Sequence, residues 1–473
     1  MPDLPPDLTP AFDSAMRECL GERGWLTGAD DTAAYARDWL DRYGAPPLGL
    51  ARPASTEQVA AVVRLCAAHD VPVVPQGGNT GLNGGSVAKH GGSVIISLAR
   101  MNRILSVDAV DFTATVEAGV VLGALHEALA DRNLAFPMHL GAEGSAQIGG
   151  LIGTNAGGSH AMRFGMMQDL VLGLEVVLAD GSVWDGARAL IKDNAGYQLR
   201  RFFWGAEGTL GIVTKAVLGL FPAPAERATA LLALADFEAA ERAGAFLRAR
   251  TGEFLTAIEF FGEVGVALAV HHVEGLSHPL ETAGPVYLLV EIASCIPDIA
   301  LNDILEKALT AAFEQGDVLD GAIAANSAQR AAFWRLREEI PEGQRLEGRQ
   351  IKHDVSAPVA RLAAFIADAS RAVEAVMPGV RVNPFGHLGD GNVHFNLSPP
   401  QGHAGFGGLE AELSQAVYAA VVRHGGSIAA EHGLGQAKVE LADRFRTGTE
   451  RSLMRRIKAA LDPHDIMNPG KVV

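Results

Sequence analysis

The sequence predicts an α+β fold in two parts: a glycine-rich N-terminal part in which helices alternate with strands, and a second part on an antiparallel sheet. Three observations predict it. Helix-start signals alternate with short valine- and isoleucine-rich runs from Ser55 to Ser97. Three glycine clusters interrupt the runs before Val213. After Pro222-Ala223-Pro224 glycine thins out, and helical stretches alternate with strand-like ones, so a boundary is expected there.

Composition narrows the class. A chain of 473 residues can build two or three domains. It is 48% hydrophobic, with a mean hydropathy of +0.15. No apolar run reaches the ~18 residues of a membrane span, so a soluble protein is expected. The net charge of −16 argues against a nucleic-acid partner, which needs a basic face. The acidic, proline-rich start Met1-Pro2-Asp3-Leu4-Pro5-Pro6-Asp7 has neither the basic nor the apolar region of a secretory leader. Cys19, Cys66 and Cys295 are scattered and odd in number. A reducing, cytoplasmic setting without disulfides is therefore expected.

The elements follow in order. Residues 11–23 read as a helix with Phe12, Met16, Cys19 and Leu20 on one side. Ser55 is an N-cap for a helix over 56–69, with Glu57 complementing the dipole. A strand over 71–75 has Pro72 at its start, where no ladder donor is needed. The loop Pro75-Gln76-Gly77-Gly78-Asn79-Thr80-Gly81-Leu82-Asn83-Gly84-Gly85-Ser86 follows, with five glycines in residues 77–85. A simple turn would explain two or three. Five, without a charge, favour an anion cradle of backbone N–H groups. The loop is neither a Rossmann fingerprint nor a P-loop: a β-rich stretch, Ser93 to Ser97, follows instead of a helix, and no Gly-Lys-Ser/Thr is present.

Strands near 93–97 and 112–117 and a helix over 121–132 come next. The second cluster is Gly141-Ala142-Glu143-Gly144-Ser145-Ala146-Gln147-Ile148-Gly149-Gly150, continued by Gly153-Thr154-Asn155-Ala156-Gly157-Gly158. Small residues at this density let a long ligand lie along the backbone. A buried strand over 171–178 ends at Asp180-Gly181, read as a type I′ hairpin turn. The third cluster, Gly205-Ala206-Glu207-Gly208-Thr209-Leu210-Gly211-Ile212-Val213, leads into a strand. Beyond 226, strands over 227–233 and 286–292 and helices over 236–249 and 299–315 complete the pattern.

The reactive side chains concentrate late. In Asn383-Pro384-Phe385-Gly386-His387-Leu388-Gly389-Asp390-Gly391-Asn392-Val393-His394-Phe395-Asn396, two histidines straddle a Gly-Asp-Gly turn. Folded as strand–turn–strand, their imidazoles converge. Glu431-His432 stands in a small-residue stretch and adds a carboxylate. Two imidazoles and a carboxylate suit zinc, manganese or iron with open positions, and His432 is a candidate general base. The competing reading is a pair of loop histidines capping backbone groups. Arg335, Arg337, Arg345, Arg349 and Lys352 form a basic run in an acidic chain. Most would be a solvated face paired with Glu338, Glu339, Glu342 and Glu347; Arg337 and Lys352 are the two retained as carboxylate anchors.

These stretches, with Leu461-Asp462-Pro463 to Asn468-Pro469-Gly470-Lys471, occur in one order over nearly the whole chain. The chain thereby resembles the FAD-linked D-2-hydroxyacid dehydrogenases of the vanillyl-alcohol oxidase / p-cresol methylhydroxylase flavoprotein family. The resemblance implies a two-subdomain FAD-binding domain of the p-cresol methylhydroxylase type over 1–222. It implies an α+β substrate domain over 223–429 and a segment over 430–473 that returns to the FAD domain. FAD would be non-covalent, because the tethering histidine of some relatives is absent from Pro75–Ser86. The first loop would hold the pyrophosphate. The 141–158 region, Glu207, Gly208, Gly211, Ile212, Val213 and Asn468 would hold the rest.

The same likeness implies His387, His394 and Glu431 as ligands of a divalent metal, zinc foremost, and His432 as the base. Arg337, Lys352 and Asn396 would contact substrate. The implied reaction is oxidation of a D-2-hydroxy acid to the 2-oxo acid with hydride passing to flavin N5. D-2-Hydroxyglutarate is the favoured substrate, and D-lactate or glycolate the alternative. Pro341 stands where the hydroxyglutarate-oxidising members carry a threonine, and it removes a hydroxyl and an N–H. An electron-transferring flavoprotein or a quinone would accept the electrons, with oxygen and a homodimeric state left open. The reading from another class is a metal-dependent hydrolase or binding protein without flavin.

Overall fold

The computed structural model describes residues 9–473, so the acidic, proline-rich start lies outside the described residues. The chain divides into two compact units. One comprises Met1–Gly158, Phe164–Ala223 and Glu431–Val473; the other comprises Ser159–Arg163 and Pro224–Ala430.

The first unit carries two main sheets. In the four-stranded sheet, Gly49–Ala51 and Val73–Gln76 flank Val94–Ser97 in parallel, and Trp25–Leu26 pairs antiparallel at one end. Helix Thr56–Ala68 covers it, started by Ser55 Oγ accepting the Gln58 N–H. Its Val59, Val62, Val63 and Cys66 are buried at helical spacing. Pro72 immediately precedes strand Val73–Gln76, where it has no N–H to give and its carbonyl accepts the Val94 N–H at 2.8 Å. The antiparallel five-stranded sheet runs in the order Ile104–Asp108, Thr113–Glu117, Ile212–Gly219, Val171–Val177, Val183–Gly186. Val116, Leu174, Val176, Ala216 and Leu218 are buried from it, which ties the two sheets to one apolar core.

The Asp180-Gly181 hairpin exists but is not type I′. Gly181 alone has positive φ, at 74°. The backbone turn spans Leu178 to Gly181, closed by Gly181 N–H donating to Leu178 O at 2.9 Å, and the Asp180 carboxylate adds a bond from the Ser182 N–H at 2.8 Å.

The second unit is built on a seven-stranded, wholly antiparallel sheet. Its order is Val318–Ile323, Glu226–Leu234, Val286–Ser294, Leu255–Gly262, Arg381–His387, Asn392–Ser398, Asp354–Ser356. Helices Phe237–Thr251, Leu301–Glu314 and Leu362–Val376 bury Leu247, Leu305 and Phe365. Helices Glu263–His272 and Ile340–Glu347 approach so closely that a Cβ on Gly343 would meet the Ala269 backbone at 2.6 Å. Pro341 sits in the first turn of the latter helix, where its missing N–H costs no hydrogen bond. Among the described residues no helix is long and apolar enough to cross a membrane.

Candidate functional site

In the first unit the three glycine clusters and the C-terminal tail converge. A Cβ on Gly78 would lie 1.9 Å from the Ser145 carbonyl oxygen, and one on Gly208 2.8 Å from the Pro75 ring. A Cβ on Gly435 would lie 2.0 Å from the Asn83 carbonyl. These backbones touch because the positions lack side chains. Asn79 supports the first loop by accepting a hydrogen bond from the Ser86 hydroxyl at 2.6 Å and donating to Arg37 O at 2.7 Å. Gln76 donates to Tyr35 O and Ser86 O.

Glu207 is the knot. It takes φ 49°, a region few non-glycine residues enter. Its carboxylate accepts the Leu434 N–H at 2.7 Å and the Gly435 N–H at 2.9 Å. Its carbonyl accepts from Asn468 Nδ2 at 2.6 Å, and the same amide reaches Gly85 O at 2.9 Å. Burial pushes the Glu207 carboxyl up to about 7 despite the backbone donors and the charge of Lys471. Burial also brings the Lys471 ammonium down to about 8. Both groups lose more solvation than they regain, so both shift toward their neutral forms.

Other glycines face no protein. Around Gly81, Gly141, Gly144 and Gly150 an added Cβ would meet nothing within 4 Å. Glycines that face open space while their neighbours pack backbone to backbone are what a cradle for an extended dinucleotide requires. The residues therefore fit FAD. The side chains of Ile148, Ile212 and Val213 are buried in the core, so only their backbones are available to a ligand. Ala142 and Gly149 are half-buried and Ala156 is buried. Gly157 and Gly158 follow Asn155, whose φ of 50° ends helix Ile148–Thr154. A Cβ on Gly158 would strike the His139 carbonyl at 2.2 Å. His432 is half-buried, and its carbonyl accepts from Asn83 Nδ2 at 3.2 Å.

In the second unit, strand pairing assembles one polar face. Arg381–His387 and Asn392–Ser398 pair with Phe385 opposite His394 and Asn383 opposite Asn396. The same ladder sets Glu259 opposite His387 and Asp354 opposite His394. Alternation along each strand puts these side chains on one side, while Phe260, Phe395, Val355 and Leu397 are buried from the other. The His387 and His394 rings lie 6.2 Å apart. His387 Nδ1–H donates to Glu259 Oε1 at 2.6 Å, so in the neutral ring Nε2 is the lone-pair nitrogen. A carboxylate holding the far nitrogen is the support found behind metal-bound histidines. The donor set thus fits a divalent cation. Glu431 continues from Ala430, the last residue of this unit.

Arg337 is 8% exposed. It pairs with Glu259 at 3.0 Å, and its guanidinium lies 4.9 Å from the Phe385 ring centre. Its Nε has no hydrogen-bond partner, and neither do Asn396 Oδ1, Gln344 Nε2 nor either polar atom of Asn383. Buried polar atoms left this way mark a place where a polar ligand is expected. Asn396 is oriented by its amide donating to Gln344 Oε1 at 2.9 Å.

The other arginines of the basic run take ordinary roles. Arg335 donates to the carbonyls of Glu274 and Gly275, Arg345 pairs with Glu342, and Arg349 lies 3.9 Å from Glu410. Lys352 is exposed, and after Arg345 its charge helps hold the Glu342 carboxyl below its usual value. Glu259, Asp354, Gln344 and Asn383 were not among the residues singled out from sequence. For Glu259 a signal existed: it is the one charged residue in the apolar run Leu255–Gly262.

Comparison with known proteins matches residues 223–472 to the family described as FAD linked oxidases, C-terminal domain, and residues 47–186 to an FAD binding domain. The chain is 40% identical to a D-2-hydroxyglutarate dehydrogenase of Xanthomonas citri pv. viticola, over 93% of this chain and 92% of that one. It is 37% identical to one of Stutzerimonas stutzeri, over 98% and 99%. It is 36% identical to a mitochondrial D-2-hydroxyglutarate dehydrogenase of Arabidopsis thaliana, over 97% and 81%. Among solved structures, p-cresol methylhydroxylase with substrate bound superposes with a TM-score of 0.76 at 19% identity, covering 99% of this chain and 98% of that one. 4-Ethylphenol oxidase from Gulosibacter chungangensis gives 0.73 at 20% identity, covering 99% and 98%. Those two likenesses concern the fold.

Proposed function

The chain belongs to the FAD-linked oxidases, and on that premise we propose that it is an FAD-dependent dehydrogenase that oxidises D-2-hydroxyglutarate to 2-oxoglutarate. Family membership sets aside the flavin-free hydrolase or binding protein. The observation that carries the substrate class is the polar face of the second unit. Two imidazoles on adjacent strands, a buried arginine and amides with orphaned atoms suit a small, multiply oxygenated anion.

When bound, FAD supplies the electron sink for the substrate's α-hydrogen, and a divalent cation lowers the pKa of a hydroxyl. His387, His394 and Glu431 would hold the cation. The chain's own work is positioning and proton transfer. His432 accepts the substrate hydroxyl proton. Arg337 anchors a carboxylate through its planar fork, and Lys352 adds a second positive charge. Asn396, with its amide fixed on Gln344, offers Oδ1 as an acceptor. Glu259 keeps the His387 ring in one tautomer and holds Arg337. Together these fix which face of the α-carbon is presented. A separate acceptor, an electron-transferring flavoprotein or a quinone, takes the electrons away.

One residue favours a second substrate. Pro341 offers neither hydroxyl nor N–H, which weakens recognition of a distal carboxylate and favours D-lactate as the alternative. The test is the visible spectrum of the purified protein, followed by anaerobic addition of D-2-hydroxyglutarate, L-2-hydroxyglutarate or D-lactate. Flavin bleaching by the D-dicarboxylate alone is expected. Bleaching by D-lactate alone would move the substrate, and a protein that never takes up FAD would overturn the assignment.

A further inference from the structure

A second group of metal-type donors lies in the first unit, on residues that the proposed reaction does not use. His126 is on helix Leu122–Ala130, and His139 and Glu143 are on the segment leading into helix Ile148–Thr154. One ligand atom from each lies within 4.8 Å of the others. His126 Nδ1 is 3.3 Å from Glu143 Oε2, His139 Nδ1 is 2.9 Å from Glu143 Oε1, and the ring centres are 4.8 Å apart. Donors on a tetrahedral zinc ion are separated by about 3.3–3.6 Å, given bond lengths near 2.0–2.2 Å.

The tautomer of His126 sharpens the argument. Its Nε2 is 3.1 Å from the Phe136 carbonyl oxygen, which can only accept. Nε2 therefore carries the proton, and in the neutral ring Nδ1 is the lone-pair nitrogen. That nitrogen faces a carboxylate oxygen. Two acceptors at this distance need a positive charge between them, either a second ring proton or a cation. A backbone carbonyl behind a ligating imidazole is the support that metal-bound histidines have.

The backbone fixes the donors in advance. Gly123 N–H donates to Glu143 O at 3.0 Å and Leu122 N–H to Ala146 O at 2.9 Å, which docks the loop on the helix start. The side chains of His126, His139 and Glu143 are 20%, 43% and 32% exposed, so water can fill a fourth position. Two imidazoles select zinc over magnesium or calcium.

We propose that His126, His139 and Glu143 form a structural divalent-cation site, with zinc the matching ion, that clamps the glycine segment 141–158 to helix Leu122–Ala130. This does not rest on the proposed reaction, and the test separates the two. The FAD-loaded His387→Ala/His394→Ala protein, whose flavin absorbance reports folding, is stripped with chelator and titrated with zinc chloride by calorimetry. Uptake of one equivalent, lost on adding His139→Gln, is expected. No uptake, or an equivalent that survives His139→Gln, overturns the proposal. If that protein does not fold, wild type is compared with His126→Gln for zinc content and for the rise in melting temperature with zinc. The site predicts one equivalent fewer and a smaller rise in the variant. Equal zinc content in the two proteins overturns it.

Discussion

Glu259 Oε1 receives the His387 Nδ1–H at 2.6 Å from a position that is 1% exposed. The same carboxylate takes Arg337 at 3.0 Å. One buried acid thus sets the tautomer of a candidate metal ligand and the place of a candidate substrate anchor. Removing it leaves Arg337 without its counter-charge, which costs about 3–5 kcal/mol for a buried pair. Glu259→Gln keeps the shape and one acceptor. It should weaken cation affinity by about 10- to 100-fold, the usual loss when the support behind a ligand is removed. FAD content should stay at the wild-type level. Metal titration beside the flavin absorbance checks this; unchanged affinity would make Glu259 a purely structural group.

Arg337 itself predicts a split between substrates. Arg337→Lys keeps the charge and loses the planar fork and its place over Phe385. Charge-assisted hydrogen bonds are worth about 1.5–3 kcal/mol, so KM for D-2-hydroxyglutarate should rise by about 10- to 100-fold. If Arg337 holds the distal carboxylate, D-lactate is affected much less. If it holds the carboxylate beside the hydroxyl, both suffer equally. Steady-state kinetics with the two acids distinguish these.

His432→Ala should reduce turnover by roughly 10²-fold or more with FAD content unchanged, the scale of a lost general base. Flavin bleaching followed by stopped flow reads the reductive half-reaction alone. A near-normal bleaching rate would remove His432 from it.

Much of this was legible in the sequence, for a physical reason. Glycine clusters and a His-turn-His stretch are local, and their meaning survives without knowledge of distant partners. The strands over 381–398 and helix Thr56–Ala68 follow from period and caps in the same way. Glu259 stood out only as a charge in an apolar strand; its role was hidden because it meets His387 across 128 positions, by a register that no local pattern encodes. Asn383 and Gln344 were hidden likewise: an amide matters here only because its partners are missing. The Asp180-Gly181 turn was misread because the backbone turn starts two residues earlier: Gly181 N–H donates to Leu178 O at 2.9 Å, and Asp180 keeps a negative φ.

Glu207 predicts a pH dependence of stability. Its carboxyl is raised from 4.5 to about 7 in the folded chain. Between those values the folded state binds more protons than the unfolded one, so its contribution to stability falls as pH rises from about 4.5 to 7. Lys471 is lowered from 10.5 to about 8, so its contribution rises with pH from about 8 to 10.5. Glu207→Gln should flatten the lower limb by on the order of 3 kcal/mol. Urea unfolding at stepped pH measures it; a variant with the wild-type slope would show that Glu207 does not titrate in that window.

The glycine cradle can be tested by two substitutions that are identical in chemistry and opposite in surroundings. At Gly78 an added methyl would lie 1.9 Å from the Ser145 carbonyl, so Gly78→Ala must push the 75–86 loop off the 141–150 stretch. Neither partner atom is a flexible side-chain end, so the strain falls on backbone. At Gly81 nothing lies within 4 Å, and its φ is outside the left-handed region. Gly81→Ala therefore strains nothing in the protein and only enters the space assigned to the dinucleotide. Gly78→Ala should lower both the melting temperature of the apoprotein and its FAD content. Gly81→Ala should leave the apoprotein's melting temperature unchanged while weakening FAD binding by about tenfold or more, since ~1.4 kcal/mol of lost contact suffices. Thermal melts of the apoproteins and fluorescence titration with FAD separate the two effects. Wild-type FAD affinity in Gly81→Ala would place the dinucleotide away from this loop.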